Sequence, residues 1–419
     1  MEQGLRSVSD VRTLNRKLWA GLDVGVETTR LCVLNDSGEV LQEASCPTCL
    51  ESVHGELKWL RRRRFARVGI EAGTGTTLAR GLRSLGYSVD MYETRQLSKF
   101  LRARRNKTDA GDANGIADAG RIGASMVSKV HLKSLDCQAL LTRLIVRKHL
   151  IRERVGAANL LCRQLELYGG RISKCPRSKR LRIHVDAEIR RLFGKATAGA
   201  ARDLRHLLDH CERLITYQYT FDRELKRFAA ENEVCSLLMS IPGVGPLCAL
   251  SFYATIAEPN RFTRSADVGG YLGLTPKLHQ SGLSKRMGRI SRMGNRAMRT
   301  LLVNASVQFM KHSAPEDELR KWAIRVQQRS GRGQARVALA RKLAVVMLAM
   351  WKRGAPYSAP AACETEGFES TTKGESDPAK PQAQISAHSV LGPTPLTQTP
   401  NDSPRARRPD ALALDPHSL

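Results

Sequence analysis

Long apolar runs are missing from this chain of 419 residues. None reaches the roughly 18 residues that a membrane-crossing helix needs, so no spanning helix is expected. Met1 to Lys17 is polar and lacks the apolar stretch of a secretory signal. Aromatic residues make up only 5% of the chain, and none interleave its basic clusters. Stacking on bases is therefore not the expected mode of contact. The ten cysteines lie mostly in apolar contexts without the spacing of a disulfide framework, which reads as reduced, cytosolic thiols. Cys46-Pro47-Thr48-Cys49 has no matching second pair, so a strand end followed by a turn is a better reading than a zinc knuckle. Acid is in deficit too. Lysine and arginine total 68 against 40 aspartate and glutamate, a formal net charge of +28. Such an excess favours a polyanionic partner, most commonly nucleic acid, over a merely solvated basic surface.

Residues 1–16 read as a flexible N-terminus and 17–130 as an α/β domain. Residues 17–24, 29–35 and 39–46 are strand candidates, with a turn at Asp36-Ser37-Gly38. Closely spaced strands joined by short turns imply an antiparallel meander. Residues 50–64 have helical spacing, 66–71 form a short strand, 76–85 a helix ending at Gly86, and 88–93 a last strand. Three hairpin strands followed by β-α-β-α units is the order of a ribonuclease-H-like fold. Residues 131–232 read as a helical arm, with an apolar stripe of Leu140, Leu141, Leu144, Ile145, Leu150 and Ile151 and a second helical stretch over 187–228. Two long antiparallel helices, as in a coiled coil, are expected. Residues 233–354 read as a mainly helical domain. It opens on Ser240-Ile241-Pro242-Gly243-Val244-Gly245-Pro246, a tight turn resembling a helix-hairpin-helix, whose backbone N–H groups can face a phosphate. Ten of the seventeen prolines fall in 356–419, so 355–419 is expected to be disordered.

Lys107-Thr108-Asp109-Ala110-Gly111-Asp112-Ala113 places two carboxylates three residues apart in basic surroundings. If Asp109 opens a helix, Asp112 lies on the same face one turn later. Their repulsion makes best sense with a cation between them, and hard Mg²⁺ (or Mn²⁺) suits carboxylate oxygen together with substrate phosphate. Asp23, in Gly21-Leu22-Asp23-Val24-Gly25, ends an apolar strand, and Glu71 ends another before Ala72-Gly73-Thr74-Gly75. A strand-end acid accepting turn hydrogen bonds is the plainer alternative for each. The glycine-rich turn lacks the lysine of a phosphate-binding loop, and that reading is rejected. Asp23, Glu71, Asp109 and Asp112 can converge at one sheet edge, where four acids can hold two metal ions about 3.5–4 Å apart. Basic density adds to the picture. Arg61-Arg62-Arg63-Arg64 and Arg102, Arg104, Arg105 and Lys107 flank the acids. Lys285, Arg286, Arg289, Arg292, Arg296 and Arg299 lead into an apolar helix, with 292, 296 and 299 expected on one helical face, suited to backbone phosphates.

The order GLDVG, GIEAGTG, NKTDAGDA, then SIPGVGP, YLGLTP, HQSG and GRISRMGNRAMRTLL resembles the DEDD transposases of bacterial insertion sequences, the insertion-sequence one-ten family. The resemblance spans roughly residues 17–353. It implies a RuvC-like ribonuclease-H domain and a C-terminal transposase domain joined by a helical arm. It also implies DNA recombination guided by a structured non-coding bridge RNA, with the acidic tetrad at Asp23, Glu71, Asp109 and Asp112. A nucleophilic serine follows the GLTP segment, and the family register selects Ser281, which would form a covalent 5′-phosphoserine link. On the residues alone, Ser284 and Ser291 compete with it. The implied partners are the element's ends, target DNA, the bridge RNA and further copies of the chain as a dimer or tetramer, at the nucleoid in the bacterial cytoplasm. Two other readings stand beside this one: a RuvC-like endonuclease hydrolysing DNA junctions with water, and a scaffold that binds nucleic acid on an inactive nuclease fold.

Overall fold

The computed structural model describes residues 17–59, 67–103, 109–123, 126–172, 181–281 and 284–358. The N-terminus 1–16, the arginines at 61–64, Arg104, Arg105, Lys107 and the tail from 359 lie outside the described residues, as do the side chains of Asp109, Ser284 and Lys285.

The meander expected from the short turns is present. β1 (Trp19–Val24), β2 (Thr28–Leu34) and β3 (Val40–Pro47) pair antiparallel in sequence order. Then follow α1 (Leu50–Leu57), β4 (Arg67–Glu71), α2 (Thr76–Ser84), β5 (Ser88–Tyr92), α3 (Thr94–Arg102), α4 (Asp109–Ile122) and β6 (Lys129–Val130). The sheet order is β3-β2-β1-β4-β5-β6, with β4 parallel to β1 and to β5. This mixed sheet with covering helices fits a RuvC-like domain of ribonuclease-H order. The two-residue edge strand β6 is an addition, too short to leave a period in the sequence.

Period-two alternation sorts the strand residues onto two faces. Leu18, Ala20 and Leu22 of the first strand segment, Leu31 and Val33, Val68 and Ile70, and Val89 and Met91 form one core with Val53 and Leu57 of α1 and Leu78, Ala79 and Leu82 of α2. The alternate residues face α4: Cys32 and Leu34 pack on Ala113 and Ala117, and Tyr92 packs with Ile116 and Ala119. Both faces are covered, as parallel strands require. Leu22 and Ile70 are fully buried, each contributing about 1.5–3 kcal/mol.

Two glycines set how closely α4 approaches. Gly21 and Gly69 are register partners on β1 and β4. A Cβ on Gly21 would lie 2.1 Å from the Ala113 carbonyl oxygen and 2.3 Å from the Ala117 nitrogen, and one on Gly69 would lie 3.1 Å from Ile116 Cγ2. Helix backbone thus rests directly on strand backbone, which any larger side chain would prevent.

The chain then becomes helical. α5 (Leu135–Leu167) and α7 (Ala198–Glu231) are the long helices, with α6 (Leu181–Leu192) between them in sequence. Each long helix spans about 50 Å at 1.5 Å per residue. Ser134 caps α5 by accepting from the Cys137 N–H at 3.2 Å. Arg143 pairs with Glu224 at 2.6 Å, and Arg147 pairs with Asp222. Rising numbers on α5 meet falling numbers on α7, so the two run antiparallel. Ala158, Leu161 and Leu165 of α5 share a core with Leu181, Val185 and Ile189 of α6 and Leu208, Cys211 and Ile215 of α7. Two expectations need adjusting. The second helical stretch expected over 187–228 is two helices, interrupted around the 3-10 turn Lys195–Thr197. Ile145 is 65% exposed, while Leu140 is buried, because one residue beyond Leu144 turns about 100° off the packed face.

The last region holds α8 (Glu233–Met239), α9 (Pro246–Ile256), α10 (Asp267–Tyr271), α11 (Arg296–His312) and α12 (Glu318–Arg353) around a core that includes Phe252, Phe309, Leu343 and Met347. The turn between α8 and α9 packs so tightly that a Cβ on Gly243 would lie 2.5 Å from the Phe309 nitrogen. The region is mainly helical as expected, with one addition that the sequence reading did not include. β7 (Pro276–Ser281) and β8 (Ser284–Ile290) form a separate antiparallel hairpin. No helix among the described residues is long and apolar enough to cross a membrane.

Candidate active site

Asp23 follows Gly21 by two residues on β1, and Glu71 follows Gly69 by two on β4, so both carboxylates belong to the face that α4 covers. The strand ends that carry them are tied down by hydroxyls. Thr74 in the glycine-rich turn donates to the Val24 carbonyl at 3.2 Å, and Thr48 donates to the Gly25 carbonyl at 3.1 Å. The turn after Glu71 therefore serves to brace β1 against β4, in keeping with its lack of a phosphate-loop lysine.

α4 begins at Asp109, as expected for a helix-opening acid. Ala113, Ile116 and Ala117 lie over the glycine pair, which brings Asp112, one residue before Ala113, to the strand ends. The charges report the convergence. Burial pushes the Glu71 carboxyl above its ordinary pKa, a hydrogen bond from Thr94 pulls it down, and Asp23 and Asp112 push it up again. Asp23, Glu71 and Asp112 therefore share one electrostatic site. The single hydroxyl proton of Thr94, the first residue of α3, is shared between the Glu71 carboxyl and the Ala72 carbonyl, 2.8 Å from its oxygen. Sequence reasoning passed over Thr94, and its position directly after Glu93, which caps α3 just beyond the end of β5, was the available signal.

Among the described residues no group of three or more His, Cys, Asp or Glu side chains is placed to hold a metal ion; the Asp109 carboxylate lies outside that set. The donors present are all oxygen and repel one another, a set that a hard divalent cation relieves. Mg²⁺ dehydrates reluctantly and is usually held by one or two carboxylates plus waters and substrate phosphates. Carboxylates close enough to perturb one another, yet open toward solvent, fit that mode of binding.

The three serines occupy different places. Ser281 is the last residue of β7, exposed, and is the register partner of Ser284 across the hairpin. Ser291 sits at the hairpin's base, where its N–H donates to the Thr275 carbonyl at 2.8 Å. Ser281 and the acids stand on different sheets, and the groups acting on Glu71 are Thr94, Asp23 and Asp112.

Arg102 is exposed in the last turn of α3. Arg286 and Arg289 are exposed on β8, and the backbone of Lys285 pairs with Gln280. The shared helical face expected for 292, 296 and 299 is corrected at its first member. Asn295 caps α11 by accepting from the Met298 N–H at 3.1 Å, and Arg292 precedes the helix with a left-handed φ of 57°. The three still gather. Burial lowers the pKa of Arg299, and the charges of Arg292 and Arg296 lower it further. The Arg299 guanidinium donates to the carbonyls of Leu272 at 3.1 Å, Met293 at 3.3 Å and Gly294 at 3.1 Å, so it also braces the base of the hairpin.

Comparison with known proteins matches both halves of the chain. A transposase model of the DEDD, IS110 type matches residues 20–169, and the model described as "Transposase IS116/IS110/IS902 family" matches 235–321. The transposase for insertion sequence element IS1111A of Coxiella burnetii is 27% identical over 367 residues, 84% of this chain and 93% of that protein. A probable family 20 transposase of Pseudomonas aeruginosa is 26% identical over 69% of this chain and 85% of its own length. A pilin gene-inverting protein of Moraxella bovis is 28% identical over 130 residues, 30% of this chain and 39% of that protein.

Proposed function

This chain belongs to the IS110 family of DEDD transposases, and from that membership we propose that it cuts and rejoins DNA with Ser281 as nucleophile and Asp23, Glu71, Asp109 and Asp112 as its metal-binding acids. It is a DNA transposase or recombinase. The observation that supports the mechanistic reading is the position of Asp23, Glu71 and Asp112 on one side of the sheet, where burial first, and then the charges of Asp23 and Asp112, raise the pKa of Glu71. A bound Mg²⁺ or Mn²⁺ would supply charge neutralisation at the phosphate and at the attacking and leaving oxygens. The chain's residues do the rest. The carboxylates orient the phosphodiester, and Arg102, Arg104, Arg105 and Lys107 hold the strand beside them. Arg286, Arg289, Arg292 and Arg296, with Lys285 and Arg299, bring nucleic acid to the hairpin that presents Ser281.

Ser281 Oγ loses its proton as it bonds to phosphorus, the P–O3′ bond breaks, and the released 3′-oxygen takes up a proton. One phosphodiester is exchanged for a 5′-phosphoserine, and a new 3′-hydroxyl reverses the step on another strand. The number of phosphate ester bonds is conserved, so no outside energy is needed. We assign the sequence choice to a structured non-coding RNA of the element, since the basic contacts lack aromatic stacking partners. The long antiparallel helices α5 and α7 serve as a coiled-coil arm between the catalytic domain, 17–130, and the transposase domain, 233–354. A dimer or tetramer acting at the nucleoid would bring the serine of one copy to the acids of the same or another copy.

Trapping tests the proposal. Full-length protein, the element's flanking RNA, end-labelled DNA and Mg²⁺ should yield a denaturant-stable protein–DNA adduct, lost in Ser281→Ala. Unchanged cleavage without an adduct in Ser281→Ala would favour the water-using endonuclease instead. Unaltered behaviour of Asp112→Asn together with no cation-dependent cleavage would favour the scaffold.

A further inference from the structure

α12 contains ten lysines and arginines and a single carboxylate, Glu318, which pairs with Lys321 at 2.8 Å. A solvated helix normally interleaves both signs, so cations on it that have no partner within the chain call for negative charge from elsewhere. The helix is broken at Gly331, whose φ of 84° and ψ of 163° leave the helical region. At the break, α12 and α11 enclose a cleft of about 270 Å³. Lys311 from α11 and Arg332 and Arg336 from α12 line it, with Gln327 beside them. All three cations are exposed, and among the described residues no carboxylate pairs with any of them. By contrast, the arginines of the arm at 143, 147, 182 and 191 are all ion-paired.

We propose that this cleft between α11 and α12 is a phosphodiester-binding site, in which Lys311, Arg332 and Arg336 grip the backbone of a nucleic-acid strand away from the acidic centre. Three unpaired cations from two elements converge on one hollow with room for a phosphate group. Two of them are planar guanidinium forks that match phosphate oxygens. The amide of Gln327 adds a neutral donor. No aromatic side chain lines the cleft, so the contact reads backbone and not base. The site lies outside every basic cluster that sequence inspection selected, and it concerns strand holding, separate from cleavage.

The test uses the full chain and three probes without element sequence: a labelled DNA duplex, the same strand as single-stranded DNA, and the same strand as RNA. Dissociation constants are measured across a salt series for the wild type and for the combined variant Lys311→Gln, Arg332→Gln, Arg336→Gln. Each lost phosphate contact should reduce the slope of log K against log salt by about 0.9 on duplex and 0.7 on single strands. A reduction of about two to three is expected with the probe that occupies the cleft, independent of its sequence. The probe that shows the reduction identifies the strand. A control variant, Arg163→Gln, Arg202→Gln, Arg227→Gln, removes the same charge from the arm and should change the slope by less than about one. Slopes unchanged with every probe, or changed equally by the control, would overturn the proposal. Amide exchange of wild-type residues 327–336 gives a readout without substitutions: protection on adding the probe supports the site, and no protection counts against it.

Discussion

Asp23 and Glu71 stand at the ends of strands covered on both faces, whereas Ser281 ends a strand exposed at all its residues. The difference follows from what each group must resist. Carboxylates that repel one another stay together only on a frame that cannot relax, and backbone-to-backbone packing at Gly21 supplies it. A serine hydroxyl carries no such charge and needs access to a phosphate. The molecule therefore holds Asp23 and Glu71 on strands packed closely against α4 and its proposed nucleophile on an exposed hairpin.

The sharpest way to break this contrast is to remove function from each side in turn. Asp23→Asn and Ser281→Ala should each lower DNA cleavage at least about 10³-fold, read on denaturing gels. Ser281→Ala should leave thermal unfolding unchanged, since the residue is exposed. Equal loss of stability in both variants would contradict the comparison.

Next in size is the frame itself. Gly21→Val forces a side chain into the Ala113 carbonyl and the Ala117 nitrogen and should cost about 1–3 kcal/mol or more, read from denaturant unfolding. On the hairpin, a Cβ at Gly288 meets only ordinary contacts, the nearest at 3.5 Å. Gly288→Ala should therefore stay within about 0.5 kcal/mol.

A subtler probe is the charge coupling. Glu71 has a folded pKa above its unfolded value. Its favourable contribution to stability is thus complete below the unfolded pKa and is lost as pH rises through the folded value. Without divalent ions, Glu71→Gln should match the wild type near pH 4 and exceed it at pH 7 by less than about 1 kcal/mol, because solvent screens a partly exposed carboxyl. Asp112→Asn should lower the Glu71 pKa, measured by NMR titration. A rise would contradict the shared site.

Much of the sheet was legible because burial on two faces leaves a period of two in Leu18–Leu22, Leu31–Leu34 and Val68–Ile70. The strand-end positions of Asp23 and Glu71 and the helix start at Asp109 were legible. The glycine pair that seats α4, and with it Asp112, on these strands was not, since contact between β1 and α4 spans about ninety residues and leaves no local pattern. The β7–β8 hairpin was missed for the opposite reason: it packs on little, so Pro276–Ser281 carries no apolar alternation. Arg292 was placed on a helix because the basic spacing continues through Gly294 and Asn295, where the cap stops it. The α11–α12 cleft was hidden because Lys311 and Arg332 are distant in sequence, although one acid within thirty-six residues was a visible sign.

The most direct test of the central claim is the configuration at phosphorus. A DNA substrate with a single chiral phosphorothioate at the cleavage site is carried through complete strand exchange by the full-length protein with its RNA and Mg²⁺. Attack by Ser281 followed by attack of a DNA 3′-hydroxyl is two in-line displacements, and predicts retention. Inversion would mean a single displacement and would contradict a serine intermediate.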